Sequence, residues 1–468
     1  MLPTRDPDWR PITPAALAIA ALAVGRAIQV NLGMFSPEGM FWLTIGLTAC
    51  GLGIASPRIR ILKGRGEPTV IVILAIGIFI QFLQFQFTWP GTYLPAADRG
   101  YAPFATGIFC ANLLTMILLS SRGRFRQFVF GAIVATHLVL GVWIIRAYPH
   151  PHIDVFAFQR RAAEFLLRGH DPYAMPYPDM YAPSGESSRF YGPGLSVGGW
   201  LRFGFPYPPL SLLLSLPAHI LFDDFRYAQL AAIALAGVLI AFLRPGLLAM
   251  LAAVLFLFTP RVFLVVEQGW TEPLAVMLFA ATLFCHYRWP RALGVAFGLT
   301  VAVKQYLVLT LVSALLLLSR PFAWNKYRKF AATPLLVALA VTSPFAAWDF
   351  RAFARSVVLL QFHQPFRADS LSYPALIANW WGVFPPAWIA FPAAAAAAVF
   401  GLRKARATEQ GFAAVTAFVF LVFFSFNKQA FCNYYFFVIG LLCCAVACTD
   451  IPSGPVSSVG RVSAGADP

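Results

Sequence analysis

Long apolar runs joined by short polar connections place the strongest constraint on the fold of this chain. Runs at about 13–31, 68–88 and 127–147 reach the roughly 18 apolar residues that a helix needs to cross a bilayer. Only 12% of the 468 residues are charged, whereas about 25% is usual in soluble domains. The pattern predicts an all-α polytopic membrane protein, a bundle of about 13–14 transmembrane helices.

The basic residues give these helices an orientation. The formal net charge is +16, and Lys and Arg concentrate in short connections such as 56–68, 120–127 and 319–330. The positive-inside rule assigns such connections to the cytoplasm. In a soluble protein this charge would suggest nucleic-acid binding. Here membrane orientation explains the charge, so we expect a multi-pass protein of the plasma (inner) membrane that has the lipid bilayer, and no nucleic acid, as a partner.

The longest polar interval, 148–210, lies in a connection that this orientation places outside the cytoplasm. Asp154 follows an apolar run, and residues 155–169 mix apolar and charged positions as a helix lying in the membrane interface does. A carboxylate at this boundary can accept a proton from a hydroxyl group, but Asp is also a favoured helix N-cap. The two roles are compatible. The apolar piece 207–222 either crosses the membrane or lies flat.

Further polar groups stand at the ends of apolar runs. Gln268 and Glu272 precede a predicted span, where Glu272 also fits ordinary helix-start chemistry. Lys304 separates two short apolar runs, at about 292–303 and 305–319. A lone Lys between such runs favours the bundle interior, where it suits a phosphate as a point charge.

Two more outer connections carry candidate binding residues. The connection 349–385 contains His363 and Arg367, which suit an anionic headgroup or, alternatively, anchoring to lipid phosphates. Lys428, Asn433 and Tyr434 lie at another span boundary, where the alternative is an aromatic belt.

Cofactor and metal motifs are missing from the sequence. The seven cysteines all lie in or beside apolar runs and do not have metal-ligand spacing. There is no phosphate-binding loop, no dinucleotide fingerprint and no His-Glu-x-x-His pair. We therefore expect no cofactor and no metal, and the energy for any synthesis has to arrive in the substrate.

Several short motifs resemble glycosyltransferase family 87, whose members are polyprenol-phosphate-dependent, mannosyltransferase-like membrane proteins of the GT-C superfamily. The resemblance covers about 125–450 and rests on the following residues: Asp154 in the first long outer loop, Gly169, Asp171, Pro172 and Tyr173, Tyr207, Pro208 and Pro209, Glu267, Gln268 and Gly269, Lys304, and Asn433, Tyr434 and Tyr435.

The resemblance implies a GT-C-like bundle with interfacial helices in the first outer loop. It also implies inverting transfer of a hexose, mannose above all, from a polyprenyl-phosphate sugar to a lipid or glycan acceptor outside the cytoplasm. Asp154 matches the position of the family's base; Val155 and Phe156 follow it instead of a second acid, which argues for one base without an obligatory metal. Lys304, Arg367 and Lys428 are the candidates for holding the leaving phosphate. The other candidate substrate-binding residues are His152, Tyr173, Tyr207, Gln268, Glu272, His363, Asn433 and Tyr434.

The predicted organisation has three parts: an N-terminal four-helix membrane module (1–124), a catalytic membrane domain (125–450) and a disordered cytoplasmic tail (451–468). What the first four helices contribute is open at this point. A transporter or flippase of lipid-linked sugars is the alternative function, although transporters often contain internal repeats and this chain shows none.

Overall fold

A computed structural model of the protein describes residues 12–55, 66–92, 101–318 and 323–449. The helices are α1 (Ile12–Val30), α2 (Pro37–Ala55), α3 (Gly66–Phe87), α4 (Tyr101–Ser120), α5 (Gly123–Ala147), α6 (Asp154–Leu167), α7 (Ser187–Phe190), α8 (Pro209–Phe222), α9 (Arg226–Leu243), α10 (Leu247–Leu257), α11 (Val262–Gln268), α12 (Glu272–Arg288), α13 (Leu293–Val303), α14 (Thr310–Ser313), α15 (Trp324–Trp348), α16 (Phe350–Phe353), α17 (Leu360–His363), α18 (Tyr373–Trp381), α19 (Ala390–Lys404), α20 (Glu409–Ser425) and α21 (Cys432–Ala447). Short 3₁₀ helices lie at Pro290–Ala292, Gln305–Leu309, Ala314–Leu317 and Ala387–Ile389, a π-helical turn lies at Ala354–Leu359, and one hairpin pairs β1 (Ser196–Val197) with β2 (Trp200–Leu201).

The prediction of an all-α polytopic membrane protein is confirmed. Seven of the described helices are long and apolar enough to cross a membrane, namely α1 to α5, α9 and α15. Helices α10 and α11 together form a further apolar segment that bends by 48° at a short break. Several shorter apolar helices, among them α8, α20 and α21, accompany these spans. The predicted disordered tail lies outside the described residues.

Breaks in the helices follow local chemistry. Pro260, which lacks a backbone N–H, and Arg261, which has a φ of 67°, separate α10 from α11. The predicted break at Lys304 is confirmed: α13 ends at Val303, and Lys304 adopts an extended conformation before the next helical turn.

Helices α1 to α4 share the hydrophobic core of the rest of the bundle. Helix α1 packs against α2 and α21, and α3 packs against α1 and α10. Leu17, Val24, Leu74 and Phe82 belong to the same cluster of buried side chains as Phe436. The division into a module and a catalytic domain stays a prediction, but the described part of the N-terminal region is joined to the remainder by extensive apolar packing.

The segment 148–210, the predicted first outer loop, folds around α6, as the amphipathic pattern predicts. Val155, Phe158 and Ala162 on α6 are buried, and Gly169 follows the helix with a φ of 76°, a conformation that glycine adopts without steric cost. A second apolar cluster joins this loop to the segment after α15, with Phe158 and Phe353 among its members. The first outer loop and the segment after α15 therefore form one packed layer.

Arg226, the first residue of α9, makes polar contacts with the start of the outer loop and with the end of α11. Its side chain is fully buried and lies 2.6 Å from an Asp224 carboxylate oxygen. It also donates to the backbone oxygens of Tyr148 (2.9 Å), Pro149 (3.2 Å) and Glu267 (3.2 Å). One guanidinium thus joins the start of the outer loop to the end of α11.

We expect Arg226→Met to destabilise the protein by about 3–5 kcal/mol, because the substitution removes one partner of a buried ion pair and leaves the other charge uncompensated. Thermal unfolding in detergent measures the effect. Arg160→Met is the matched control: Arg160 pairs with Glu164 and Asp223 while partly exposed to solvent, so its loss should cost under about 1 kcal/mol. Equal losses of stability for the two variants would contradict the role given to Arg226.

Candidate active site

A chamber of about 370 Å³ opens where the two outer segments meet the helix breaks. The first outer loop, the α11–α12 connection, Lys304, the segment 360–369 and the segment 429–434 all contribute to its wall. Its polar lining residues are Thr92, Asp154, Tyr181, Arg189, Tyr191, Tyr207, Gln268, Thr271, Glu272, Lys304, Gln361, Gln364, Arg367, Asp369, Gln429, Asn433 and Tyr434.

Asp154 is the first residue of α6, and Ile153 occupies the N-cap position. One Asp154 carboxylate oxygen accepts a hydrogen bond from the backbone N–H of Val155 at 2.7 Å. The other carboxylate oxygen lies 3.4 Å from the Tyr191 hydroxyl, and the backbone N–H of Asp154 donates to the Tyr181 hydroxyl at 3.3 Å. The carboxylate is therefore held at the positive end of a helix while it faces the chamber.

The surroundings of Asp154 shift its acidity. Burial raises the pKa of the carboxyl from 3.8 to about 6. The hydrogen bonds from Val155 and Tyr191 and the positive charge of Arg367 each oppose that rise in pKa, because they favour the ionised form. A carboxylate with a pKa just below neutral is mostly ionised at pH 7 and accepts a proton more readily than an ordinary Asp.

Glu272 and Lys304 form a buried pair in the chamber wall. Lys304 Nζ lies 2.9 Å from Glu272 Oε1 and 4.6 Å from the centroid of the Tyr207 ring. Glu272 begins α12, where the helix dipole favours a carboxylate, and the Tyr306 hydroxyl lies 3.4 Å from the same Oε1 atom. Glu272 Oε2 is buried and has no hydrogen-bond partner among the described residues.

Arg367 belongs to a second group of charges. It donates two hydrogen bonds to the Asp369 carboxylate, at 2.8 and 2.7 Å. Arg189, from the first outer loop, donates to the same carboxylate at 2.9 Å. The guanidinium of Arg367 also lies over the rings of Phe190 and Phe431, at 4.7 and 4.8 Å from their centroids. Arg189 also pairs with Glu186 at 3.4 Å, so two carboxylates match the two arginines of this group in formal charge.

A second cavity of about 450 Å³ adjoins the chamber and is largely apolar. The two cavities share the residues Tyr207, Lys304, Gln361, Gln364, Gln429 and Tyr434. Val308, Leu309, Val358, Phe391 and Phe423 line the second cavity alone. The site therefore combines a polar chamber with an apolar extension.

Lys428 lines only this second cavity. Its ammonium group donates to the backbone oxygens of Phe362 (3.2 Å) and Gln364 (2.6 Å). Burial lowers the pKa of this ammonium group. The two carbonyl oxygens carry no formal charge, so these contacts do not neutralise the positive charge of Lys428.

The structure brings most of the sequence-predicted site residues together. The predicted residues that line the chamber are Asp154, Tyr207, Gln268, Glu272, Lys304, Arg367, Asn433 and Tyr434.

The remaining predicted residues lie elsewhere. Tyr173 is buried, and its hydroxyl donates to the backbone oxygen of Tyr207 at 2.9 Å, so it supports the wall from behind. His152 is exposed beside Tyr181. The exposed His363 has Nδ1 2.8 Å from the backbone oxygen of Leu359.

Sequence reasoning missed other members of the site. Arg189 was only one of several arginines in the outer loop, and Tyr191 one of many aromatic residues, so neither had a distinguishing local pattern. The α1–α2 turn and the connection after α3 also reach the chamber, through Leu32, Met34 and Thr92. These contacts arise between segments far apart in sequence, where periodicity carries no information.

The apolar helices define a multi-pass membrane protein, and its chamber with charged lining residues lies beside a largely apolar cavity. The sequence model of glycosyltransferase family 87 matches residues 205–452. That match covers more than half of the chain, and this protein therefore belongs to glycosyltransferase family 87, a family of GT-C type. No curated protein and no solved structure matches the chain.

The matched segment contains most of the chamber but not all of it. Tyr207, Gln268, Glu272 and Lys304 lie within it, whereas Asp154 precedes it. The first outer loop and the N-terminal helices lie outside the matched segment in the sequence, but they contact it in the folded protein.

Breaking the buried pair from either side should destabilise the protein. Glu272→Gln and Lys304→Met each leave an unpaired buried charge, so we expect each to lower stability by about 3–5 kcal/mol. The double variant removes both charges and should recover a large part of that loss. Thermal unfolding of the four proteins gives the coupling between the two residues. Simple addition of the two losses in the double variant would show that the two side chains do not act as a pair.

Proposed function

We propose that this glycosyltransferase moves a hexose, mannose in the first instance, from a polyprenyl-phosphate sugar to a hydroxyl group of a lipid or glycan acceptor. The transfer takes place on the outer face of the plasma (inner) membrane and inverts the anomeric carbon. Asp154 is the general base. The observation that carries the proposal is the position of the Asp154 carboxylate in a chamber that adjoins an apolar cavity.

Asp154 takes the proton of the acceptor hydroxyl as its oxygen attacks the anomeric carbon. The raised pKa of Asp154 supports this role, because a base whose pKa lies near the working pH combines a large ionised fraction with a strong affinity for the proton. Its hydrogen bonds to Val155 and Tyr191 hold the carboxylate in place. Precise placement of the base against the acceptor lowers the entropic part of the barrier.

The bond that breaks joins the anomeric carbon to the phosphate oxygen, and the polyprenyl phosphate leaves with the electron pair. Glycosidases need a second carboxyl group to protonate an alkoxide leaving group. A phosphate leaves as a stable anion and needs only positive charge nearby. In this proposal cationic side chains supply that charge, and the reaction needs neither a metal nor another cofactor.

Lys304 and Lys428 are the best-placed groups for the phosphate. Lys304 lies on the border between the two cavities, and Lys428 lines the apolar cavity near that border. Lys304 is already paired with Glu272, whereas the Lys428 ammonium contacts only carbonyl oxygens in its described hydrogen bonds. We therefore assign the main phosphate contact to Lys428 and a supporting contact to Lys304. The positive charge of Arg367 acts instead on the Asp154 carboxylate, whose ionised form it favours.

The apolar cavity suits the prenyl chain of the donor. Its walls carry aliphatic and aromatic side chains such as Leu309, Val358 and Phe423. A prenyl chain in this cavity would place its phosphate at the shared border and its sugar in the polar chamber. There Gln268 and Asn433 line the chamber and are placed to contact sugar hydroxyl groups. A flippase for lipid-linked sugars would also bind such a ligand, but membership of a glycosyltransferase family favours transfer.

The proposal is tested by incubating the purified protein, in lipid nanodiscs, with labelled polyprenyl-phosphate hexoses and membrane extract, and by identifying the glycosylated product. We expect Asp154→Asn to lower turnover by about 10²–10⁴-fold, the usual contribution of a general base. Donor binding should persist, because the substitution leaves the phosphate and sugar contacts in place.

Asp223→Asn serves as the matched control, since Asp223 is largely exposed and lies at the C-terminal end of α8. It should retain wild-type turnover. Full turnover in Asp154→Asn would remove Asp154 as the base, and transport of the lipid without any new glycosidic bond would favour the flippase.

Turnover should depend on pH through the ionisation of Asp154. Only the ionised carboxylate accepts a proton, so kcat/KM should fall as the pH drops through about 6 and level off above that value. Tyr191→Phe removes a hydrogen bond that favours the ionised form. Its profile should therefore shift to higher pH. A profile that is flat between pH 5 and 8 (about one unit or more either side of the pKa) would argue against Asp154 as the group that titrates.

A further inference from the structure

Helices α1 to α4 lie outside the segment that the family model matches, yet they supply part of the chamber wall. Leu32 and Met34, from the turn between α1 and α2, line the chamber, and so does Thr92 from the connection after α3. Two of these three residues are apolar. Leu32 and Met34 are among the apolar residues of a lining that also carries charged groups, as are Ile153 and Val155.

The α1–α2 turn is built tightly against the matched segment. Gly33 has a φ of 74°, and a Cβ atom at this position would lie 2.5 Å from the backbone nitrogen of Cys432. Only glycine fits so close an approach. The backbone N–H of Phe35 donates to the backbone oxygen of Asp369 at 2.9 Å. The turn is therefore held beside the carboxylate that binds Arg367.

Leu32 adopts a left-handed conformation with a φ of 55°. A branched, bulky residue rarely takes this conformation, and the strain persists only where the surroundings determine it. Such residues concentrate at functional sites. Here the conformation occurs at a residue that lines the chamber.

Two buried charged residues of the matched segment hold the N-terminal connections in place. Arg261 donates to the backbone oxygens of Gln29 and Trp89, both at 3.0 Å. Glu267 accepts from the backbone N–H of Thr92 at 2.7 Å. The guanidinium and the carboxylate thus bind the end of α1 and the connection after α3 to the break between α10 and α12. We regard Arg261 and Glu267 as positioning residues for this wall.

The wall lies away from the proposed position of the leaving group. Leu32, Met34 and Thr92 line the chamber but not the apolar cavity, whose border with the chamber carries Lys304. In an inverting displacement the acceptor oxygen attacks from the side opposite the leaving phosphate. The acceptor therefore needs the part of the chamber that is remote from that border.

We propose that the α1–α2 turn forms the acceptor side of the site, and that Leu32 and Met34 select an acceptor with an apolar group next to the hydroxyl that reacts. This assignment rests on the proposed transferase mechanism. It gives the N-terminal helices a function: they complete the acceptor half of a chamber whose remaining wall comes from the rest of the chain.

The test compares two acceptors, octyl α-mannoside and methyl α-mannoside, with polyprenyl-phosphate mannose as donor. The variant is Leu32→Asn with Met34→Gln, since Asn tolerates the left-handed conformation and Gln has nearly the shape of Met. We expect the wild-type protein to have a higher kcat/KM with the octyl glycoside than with the methyl glycoside. In the double variant the ratio of these two kcat/KM values should fall at least about tenfold, the scale of a small apolar contact. A thermal unfolding transition at the wild-type temperature shows that the variant is folded.

Val358→Gln is the crossed control, because Val358 lines the apolar cavity and not the chamber. It should raise the KM for the donor and leave the acceptor preference unchanged. If the wild-type protein consumes the donor without preferring the octyl glycoside, or if the double variant keeps the full preference, the acceptor assignment is overturned and the transferase proposal stands. If the wild-type protein consumes no polyprenyl-phosphate sugar, the proposed function fails, and the acceptor assignment fails with it.

Discussion

Every backbone polar group inside a bilayer needs a partner within the protein, and this requirement organises the whole molecule. Helices satisfy it along their length, so irregular backbone is tolerated only where protein buries it or where it borders a cavity. Lys304 and the α1–α2 turn line the chamber, and the break at Pro260 and Arg261 begins the short helix whose Leu264 also lines it. The places where helices stop are therefore the places where a polar site is possible.

The same logic extends to the charges. Lys304 has Glu272, Arg367 has Asp369, and Arg226 has Asp224 together with several backbone oxygens. Pairing reduces the cost of keeping such groups away from water. Lys428 and Asp154 depart from this pattern, because carbonyl oxygens surround the first and hydrogen-bond donors hold the second. These two residues carry the charges that the proposed reaction uses, one for the phosphate and one for the proton.

Much of the fold could be predicted from the sequence. Apolar run length indicated the membrane class, the mixed pattern after Asp154 indicated α6, and the lone lysine indicated the break at Lys304. The site could be predicted in part, because polar residues at the ends of apolar runs are costly and stand out. Tyr173 was predicted from the family resemblance and His363 from the charged connection 349–385, but the structure places the first behind the wall and the second outside the chamber lining.

The sequence by itself determined the class of protein, the approximate limits of its helices and the set of polar residues from which a site could be built, because hydrophobic periodicity is a local property. The tertiary structure alone decided which of these residues meet. It paired Lys304 with Glu272, brought Arg189 to Asp369 from far along the chain, and set the α1–α2 turn beside Cys432. Such contacts depend on how helices pack, and packing depends on the shapes of distant side chains, which leave no periodic signal.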